Sequence, residues 1–329
     1  ATASVTVTVD GADYTATNNG DGTWTLADNT LASLADNSYT VTVMATDEAG
    51  NLGGASGTLV VDTVGPIVTA NDVTTNDTTP ALVGTVNDVT ADITVTVNGV
   101  DYPATNNGDG TWTLADNTLA SLADNSYIVT VTATDEAGNQ GTATGTLVID
   151  TAAPASPVLD ATNGSEISGT AEAGSEVQVD VDGLSDYTTV ADGNGDWSIT
   201  PDTPLADGTT VTATASDEAG NESAPATVVV DGVAPIVTVN DATTNDATPT
   251  LTGSVDDATA SVTVTVDGAD YTATNNGDGT WTLADNTLPS LADNSYIVTV
   301  TATDEAGNQG TATGTLMIDT AAPASPVLD

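Results

Sequence analysis

One phrase occurs four times in this chain and sets the scale of anything it can fold into. Thr-Asp-Glu-Ala-Gly-Asn begins at Thr46, Thr134 and Thr303, and Ser216 opens a fourth copy. The aspartates are Asp47, Asp135, Asp217 and Asp304, at separations of 88, 82 and 87 residues. Trp24, Trp112, Trp197 and Trp281 recur once per copy. Each copy closes on Val or Ile followed by Asp and, four residues later, Pro: Asp62 to Pro66, Asp150 to Pro154, Asp231 to Pro235 and Asp319 to Pro323. This spacing exceeds that of solenoid repeats and matches a small domain.

The expected domains are therefore 1–65, which lacks the N-terminal part of the pattern, 66–153, a shorter and diverged 154–234, and 235–322. Residues 323–329 repeat 154–160 and are read as the start of a further copy. Ala1 to Ser4 match Ala258 to Ser261, well inside the fourth copy, so the chain is read as a window on a longer array.

The local pattern is that of β-strands. Ile93-Thr94-Val95-Thr96-Val97 alternates apolar and hydroxyl side chains, and the runs 128–133 and 144–149 do likewise. Asn98-Gly99, Gly108-Asp109-Gly110 and Gly138-Asn139 supply hairpin-turn chemistry between them. No stretch carries a helical period with caps. About seven short strands per copy predict an all-β fold of tandem immunoglobulin-like β-sandwich domains, forming an elongated rod. Tyr39, Tyr127 and Tyr296 head the penultimate strand in the manner of a tyrosine corner, with Thr209 in that place in the third copy.

Charge narrows the function. The chain has 47 acids (39 Asp and 8 Glu) and no Lys, Arg, His or Cys, for a formal net charge of −47. Nothing can neutralise phosphate, which argues against nucleic acid and anionic membranes as partners. Ser-His and Cys-His nucleophiles, Schiff bases, disulfides, thiolate or imidazole zinc sites and a P-loop lysine are all excluded. Carboxylate, amide, hydroxyl and backbone oxygen remain, the ligands of hard cations. Disorder is the competing outcome for so acidic a chain, but 39% of the residues are hydrophobic and they are regularly patterned. No apolar run is long enough for a transmembrane helix, and residues 1–4 show no signal-peptide character.

Ser-Leu-Ala-Asp-Asn-Ser-Tyr followed by Val-Thr-Val, the Asp-Glu-Ala-Gly-Asn turn and the Asp-Thr-x-x-Pro junction together resemble a known family. It is the tandem bacterial Ig-like repeats of giant biofilm-associated and RTX-type adhesins of Gram-negative bacteria. The resemblance covers essentially the whole chain. It implies an extracellular stalk on the bacterial surface, exported by type I secretion and stiffened by calcium, Ca2+, at domain junctions. The Gly-Gly-x-Gly-x-Asp nonapeptide and a recognisable ligand-binding domain do not occur in this sequence.

Candidate calcium ligands follow from the repeated acids. Asp47, Asp135, Asp217 and Asp304 lie in the loop between the last two strands, and Asp62, Asp150, Asp231 and Asp319 end the last strand. These two places lie at opposite poles of one domain. A junction aspartate is therefore expected to meet loops of the next copy, or the hairpin loop to meet other loops of its own domain. Asp72 and Asp77, Asp241 and Asp246, with Asp88 and Asp257 beyond them, offer further oxygens toward a shell of six to eight. Asp192-Gly193-Asn194-Gly195-Asp196 starts like an EF-hand loop but lacks its sixth-position Gly and final Glu. Each motif also makes sense without metal: the loop as a hairpin turn, the junction as a proline-stiffened strand end, and other acids as solubilising charge.

A non-catalytic extracellular spacer is the leading reading, its partners being neighbouring repeats of the same chain. A self-assembled filament or matrix fibre, with other copies as partners, is the variant. A carbohydrate-binding module needs an exposed aromatic platform, yet aromatics are 3% of residues and sit at repeated core-like positions. A carboxylate pair that hydrolyses glycosides fits poorly with near-identical acids in every copy.

Overall fold

The structure, a computed structural model, describes residues 3–182, 187–323 and 325, so most of the expected further copy at 323–329 lies outside the described residues. The chain divides into two compact units, 1–151 and 152–329. Every regular element among the described residues is a β-strand.

The first unit holds β1 (Ser4–Val9), β2 (Ala12–Asn18), β3 (Trp24–Thr25), β4 (Asn37–Thr46) and β5 (Leu52–Val61). They form one sheet in the order β3-β2-β1-β4-β5. The second repeat follows with β6 (Val73–Thr75), β7 (Leu82–Thr85), β8 (Asp92–Val97), β9 (Val100–Asn106), β10 (Thr111–Leu114), β11 (Asn125–Thr134) and β12 (Gln140–Ile149). Its order is β6-β12-β11-β8-β9-β10-β7. The sandwich arises because β9 serves both layers: Val100 to Ala104 pair with β8, while Thr105 and Asn106 pair with β10. β6 lies parallel to β12, and all the other ladders of the repeat are antiparallel.

Alternation explains the layers. Ile93, Val95 and Val97 of β8 face the core with Val129, Val131 and Ala133 of β11, while the intervening threonines stand on the other face. Thr94 faces Thr132 and Thr96 faces Thr130 across the strands, a pairing suited to hydroxyl-rich surfaces. The β8–β9 turn places Asn98 and Gly99 at φ 52° and 75°, the left-handed pair that a two-residue hairpin demands. Thr96 Oγ1 then donates to Asp101 Oδ1 at 2.6 Å across the hairpin mouth.

Tryptophan keys the two layers together. Trp112 is fully buried and its Nε1 donates to the carbonyl of Thr69 at 2.8 Å. Gly84 must lack a side chain there, since a Cβ would stand 2.1 Å from that carbonyl oxygen and 2.6 Å from the indole nitrogen. The tyrosine corner also forms as read: Tyr39, Tyr127 and Tyr296 donate to the carbonyls of Ala35, Ala123 and Ala292 at 2.9, 2.9 and 3.0 Å.

The second unit begins with the diverged repeat, in which Val158–Leu159, Ile167–Thr170 and Asp196–Ile199 form one sheet. Glu176–Val181, Tyr187–Val190, Thr210–Ser216 and Ala226–Val229 form the other. Trp197 occupies its core, but its Nε1 has no hydrogen-bond partner among the described residues. The fourth repeat reproduces the second strand for strand, from Ala242–Thr244 to Gln309–Ile318, with Trp281 donating to Thr238 at 2.8 Å.

Trp24 is the exception to a core reading of the tryptophans. It is 40% exposed where Trp112 is 0%.

Candidate metal-binding clefts between successive repeats

Each Asp-Glu-Ala-Gly-Asn loop is built by its own aspartate. Asp135 Oδ1 accepts from the Asn139 amide at 2.8 Å, and Oδ2 accepts from Asn139 Nδ2 at 2.8 Å. Gly138 takes φ 90°, which returns the chain into β12. Asp47, Asp217 and Asp304 make the same pair of bonds with Asn51, Asn221 and Asn308. The side-chain hydrogen bonds from Asn51 and Asn139 are the largest influence on Asp47 and Asp135 and hold both carboxyls below the ordinary aspartate value. For Asp217, desolvation pushes upward, but the bonds from Asn221 prevail and the net direction is also down.

The asparagine then reaches beyond its own domain. Asn139 Nδ2 also donates to the backbone carbonyl of Asp62, in the preceding repeat, at 3.0 Å. Asn308 Nδ2 does the same to the carbonyl of Asp231 at 2.6 Å. One amide thus ties a hairpin loop to the strand end of the repeat before it, at both junctions that lie within a unit. The junction backbone is packed as well: a Cβ at Gly65 would come within 2.6 Å of the Gln140 carbonyl oxygen, and one at Gly141 within 1.7 Å of that of Pro66. Gly310 bears the same relation to Pro235, also at 1.7 Å.

Carboxylates gather around these joints. Asp62, Asp88, Thr90, Asp135 and Glu136 line a cleft of 410 Å³ at the first junction. At the other, Asp231, Asp256, Asp257 and Asp304 line one of 230 Å³. Asp62 and Asp231 also cap their own turns, accepting from the amides of Val64 and Val233 at 3.1 and 3.0 Å. Asp88 and Asp257 each accept from the amide and hydroxyl of the threonine two residues on. The Thr259 amide is the main cause that lowers the Asp257 carboxyl. Among the described residues, no group of three or more acids is arranged so that it could hold a metal ion.

Asp62 and Asp135 line one cleft together, and Asp231 and Asp304 line the other. Asp47 and Asp217 cap their own loops. Asp150 and Asp319 end the last strands, their amides bonding to the carbonyls of Thr75 and Thr244 at 3.1 and 3.0 Å. Asp72, Asp77, Asp241 and Asp246 line neither cleft. Asp72 and Asp241 accept from the amides of Thr146 and Thr315 at 2.7 Å, pinning the crossing segment to the last strand. Asp77 and Asp246 cap Thr79 and Thr248 at 2.9 Å. Asp192 and Asp109 likewise serve turns, through the amides of Asn194 and Thr111.

Sequence reasoning overlooked Glu136 and Asp256 as cleft residues, and the second bond of Asn139 and Asn308. The signal available was the Asn that closes the motif in all four copies.

Comparison with known proteins agrees with this architecture. The bacterial Ig-like domain family matches residues 1–63, 68–151 and 237–320, and a second bacterial Ig domain family matches 153–232. The chain belongs to the bacterial Ig-like domain family. Curated proteins gave no match. Among solved structures, a tetra-tandem repeat from the extending region of a large adhesion protein is 28% identical, covering 97% of this chain and 92% of that one, at a TM-score of 0.29. A Ca2+-stabilized adhesin that helps an Antarctic bacterium reach out and bind ice is 27% identical, covering 96% and 89%, at 0.30. No helix among the described residues is long and apolar enough to cross a membrane.

Proposed function

We propose that this chain is a non-catalytic stalk segment of a large bacterial surface adhesin, lying outside the cell, with its Ig-like domains held in series and stiffened by calcium. The observation that carries the reading is the joint itself, in which one asparagine amide bridges loop and preceding strand end beside a cleft of acids, twice over. The domain limits read from the sequence, 66–153 and 235–322, place each cleft where one repeat hands over to the next.

The cleft chemistry fits a hard divalent cation. Asp62, Asp88 and Asp135 at one junction, and Asp231, Asp257 and Asp304 at the other, offer carboxylate oxygen. The chain has no side-chain cation to neutralise them. Bound calcium would supply that missing charge. Asp135 and Asp304 hold the loop, Asp62 and Asp231 hold the strand end, and drawing them together stiffens the joint. Many of the repeated acids cap backbone amides, which lends no support to catalysis. The remaining acids keep a repetitive β-surface from associating edge to edge.

Calorimetric calcium titration of the chain, paired with small-angle scattering in millimolar calcium and in chelator, tests the reading. Saturable binding with a longer, more uniform particle in calcium is expected. Heat at the level of buffer dilution, with superimposable scattering curves, overturns calcium stiffening.

A further inference from the structure

We infer that the third repeat yields to tension before the second and the fourth, because it lacks the clamp that joins their entry and exit strands. In the second repeat β6 lies parallel to β12, with Val73, Thr74 and Thr75 opposite Leu147, Val148 and Ile149. The ladder is prolonged at both ends. The Thr146 amide donates to Asp72 Oδ1 at 2.7 Å, and the Asp150 amide donates to the Thr75 carbonyl at 3.1 Å. The fourth repeat builds the same clamp from Ala242, Thr243 and Thr244 against Leu316, Met317 and Ile318, with Asp241 and Asp319 in the outer places. Asp72 and Asp241, which line neither cleft, find their use here.

Strand direction makes this ladder resist a pull. The chain enters the second repeat ahead of β6 and leaves it after β12, so tension draws β6 back toward its start and β12 on past its end. Two parallel strands drawn in this way slide past each other, and all the bonds between them are strained together. A single backbone bond is worth only about 0.5–1.5 kcal/mol, so resistance comes from sharing the load among several.

The third repeat is held differently. Its last strand, Ala226–Val229, stands at the edge of its sheet and pairs with Thr210–Ala213, whereas β11 and β12 pair over ten residues. Among the described residues no strand runs parallel to that last strand, and the entry segment reaches its end through the Asp231 amide, which donates to the Thr162 carbonyl at 3.0 Å. Nearer the entry the repeats are alike: Val158 and Leu159 pair with Thr170 and Gly169, much as the Thr69 and Asn71 amides bond to the carbonyls of Thr85 and Val83. The clamp is therefore what separates them. The core of the third repeat has fewer ties as well, since Trp197 Nε1 lacks the bond that Trp112 makes and Thr209 stands in place of the corner tyrosine. Opening the 80 residues from 153 to 232 frees roughly 25 nm of chain, at about 3.3–3.6 Å per residue. On the stalk reading proposed above, on which this use rests, that slack limits the load passed along the chain while the second and fourth repeats stay folded.

Cysteine pairs identify each repeat in a pulling experiment, since the chain has no cysteine of its own. Gln178→Cys with Thr214→Cys bridges facing positions of the third repeat, and Thr94→Cys with Thr132→Cys does so in the second. The bridges close loops of 36 and 38 residues, so each shortens the unfolding step of its own repeat by about 12–13 nm. Loss of free thiol confirms that the bridge has formed. The full chain is stretched from its two ends by atomic force microscopy in chelator, so the outcome does not depend on calcium stiffening. The shortened step is expected at lower force in the chain bridged in the third repeat than in the chain bridged in the second, at every pulling speed. Asp72→Ala added to the latter should lower the force of its shortened step. A third-repeat step at equal or higher force, or a second-repeat force that Asp72→Ala leaves unchanged, would overturn the proposal.

Discussion

Replacing Gly141 with alanine probes the junction with the smallest available perturbation. The new Cβ would lie 1.7 Å from the Pro66 carbonyl oxygen and 2.8 Å from its carbon, both backbone atoms that no rotamer change can move aside. Real contacts of this kind do not fall below 3.0 Å, so the entry of the chain into the second repeat must retreat by about 1.3 Å. Overpacking of this sort costs about 1–3 kcal/mol. For a domain of this size each kcal/mol lowers the melting temperature by about 4–8 °C. The second repeat should therefore melt about 5–20 °C earlier, and exchange should quicken over 64–72. Gly53→Ala is the matched control, since nothing lies within 4 Å of its Cβ. There alanine leaves stability unchanged or raises it by up to about 1 kcal/mol, through the unfolded chain. Calorimetry of the two variants against the parent decides the matter. Equal shifts for both would show that Pro66 does not pack on Gly141 and would refute the junction geometry.

Three further outcomes are expected. Trp112→Phe should cost about 1–2 kcal/mol more than Trp197→Phe in urea unfolding, because only Trp112 gives up a hydrogen bond while Trp197 gives up an unpaired N–H; equal costs would contradict the different settings of the two indoles. Asn139 holds the Asp135 carboxyl below its ordinary value of 3.8, so its contribution is complete above that pH and is lost as pH falls through the depressed folded value. The melting gap between the parent and Asn139→Ala should accordingly be widest near neutrality and narrow toward pH 2, and a gap that widens in acid would reverse the argument. Asp88→Asn combined with Asp257→Asn should remove most of any calcium-induced rise in melting temperature, whereas Asp77→Asn combined with Asp246→Asn should leave it intact; the opposite ranking would move the site out of the clefts.

The fold was legible because its signals are local and repeated. The Val-Thr alternation of β8, the Asn98-Gly99 turn and the tyrosine corner each depend on residues a few positions apart, and four copies reinforce one another. The site was legible only in part. Asp62 and Asp135 were recognisable as candidates because each recurs at a fixed place in every copy, while their pairing stayed open between loops of the next domain and loops of the same one. What joins them depends on residues 77 apart, Asn139 and Asp62, and local pattern carries no record of that distance. Asp72 and Asp77 illustrate the converse. Near the junction in sequence, they are carried away from it because β6 runs parallel to β12, and they are spent on backbone amides. Trp112 is buried by β7 and by Thr69, parts of its repeat that lie 27 to 43 residues away in sequence, so its core position is not a property of its own phrase.

Calcium at the junctions acts on the acids of the clefts, and amide hydrogen exchange of the full chain in millimolar calcium and in chelator reads them directly. Calcium binding there should slow exchange at residues 62–66, 135–139, 231–235 and 304–308, while the turns at Asp77 and Asp246 exchange at the same rate in both. Exchange that is identical with and without calcium at both junctions, or slowed only at those distant turns, would contradict it.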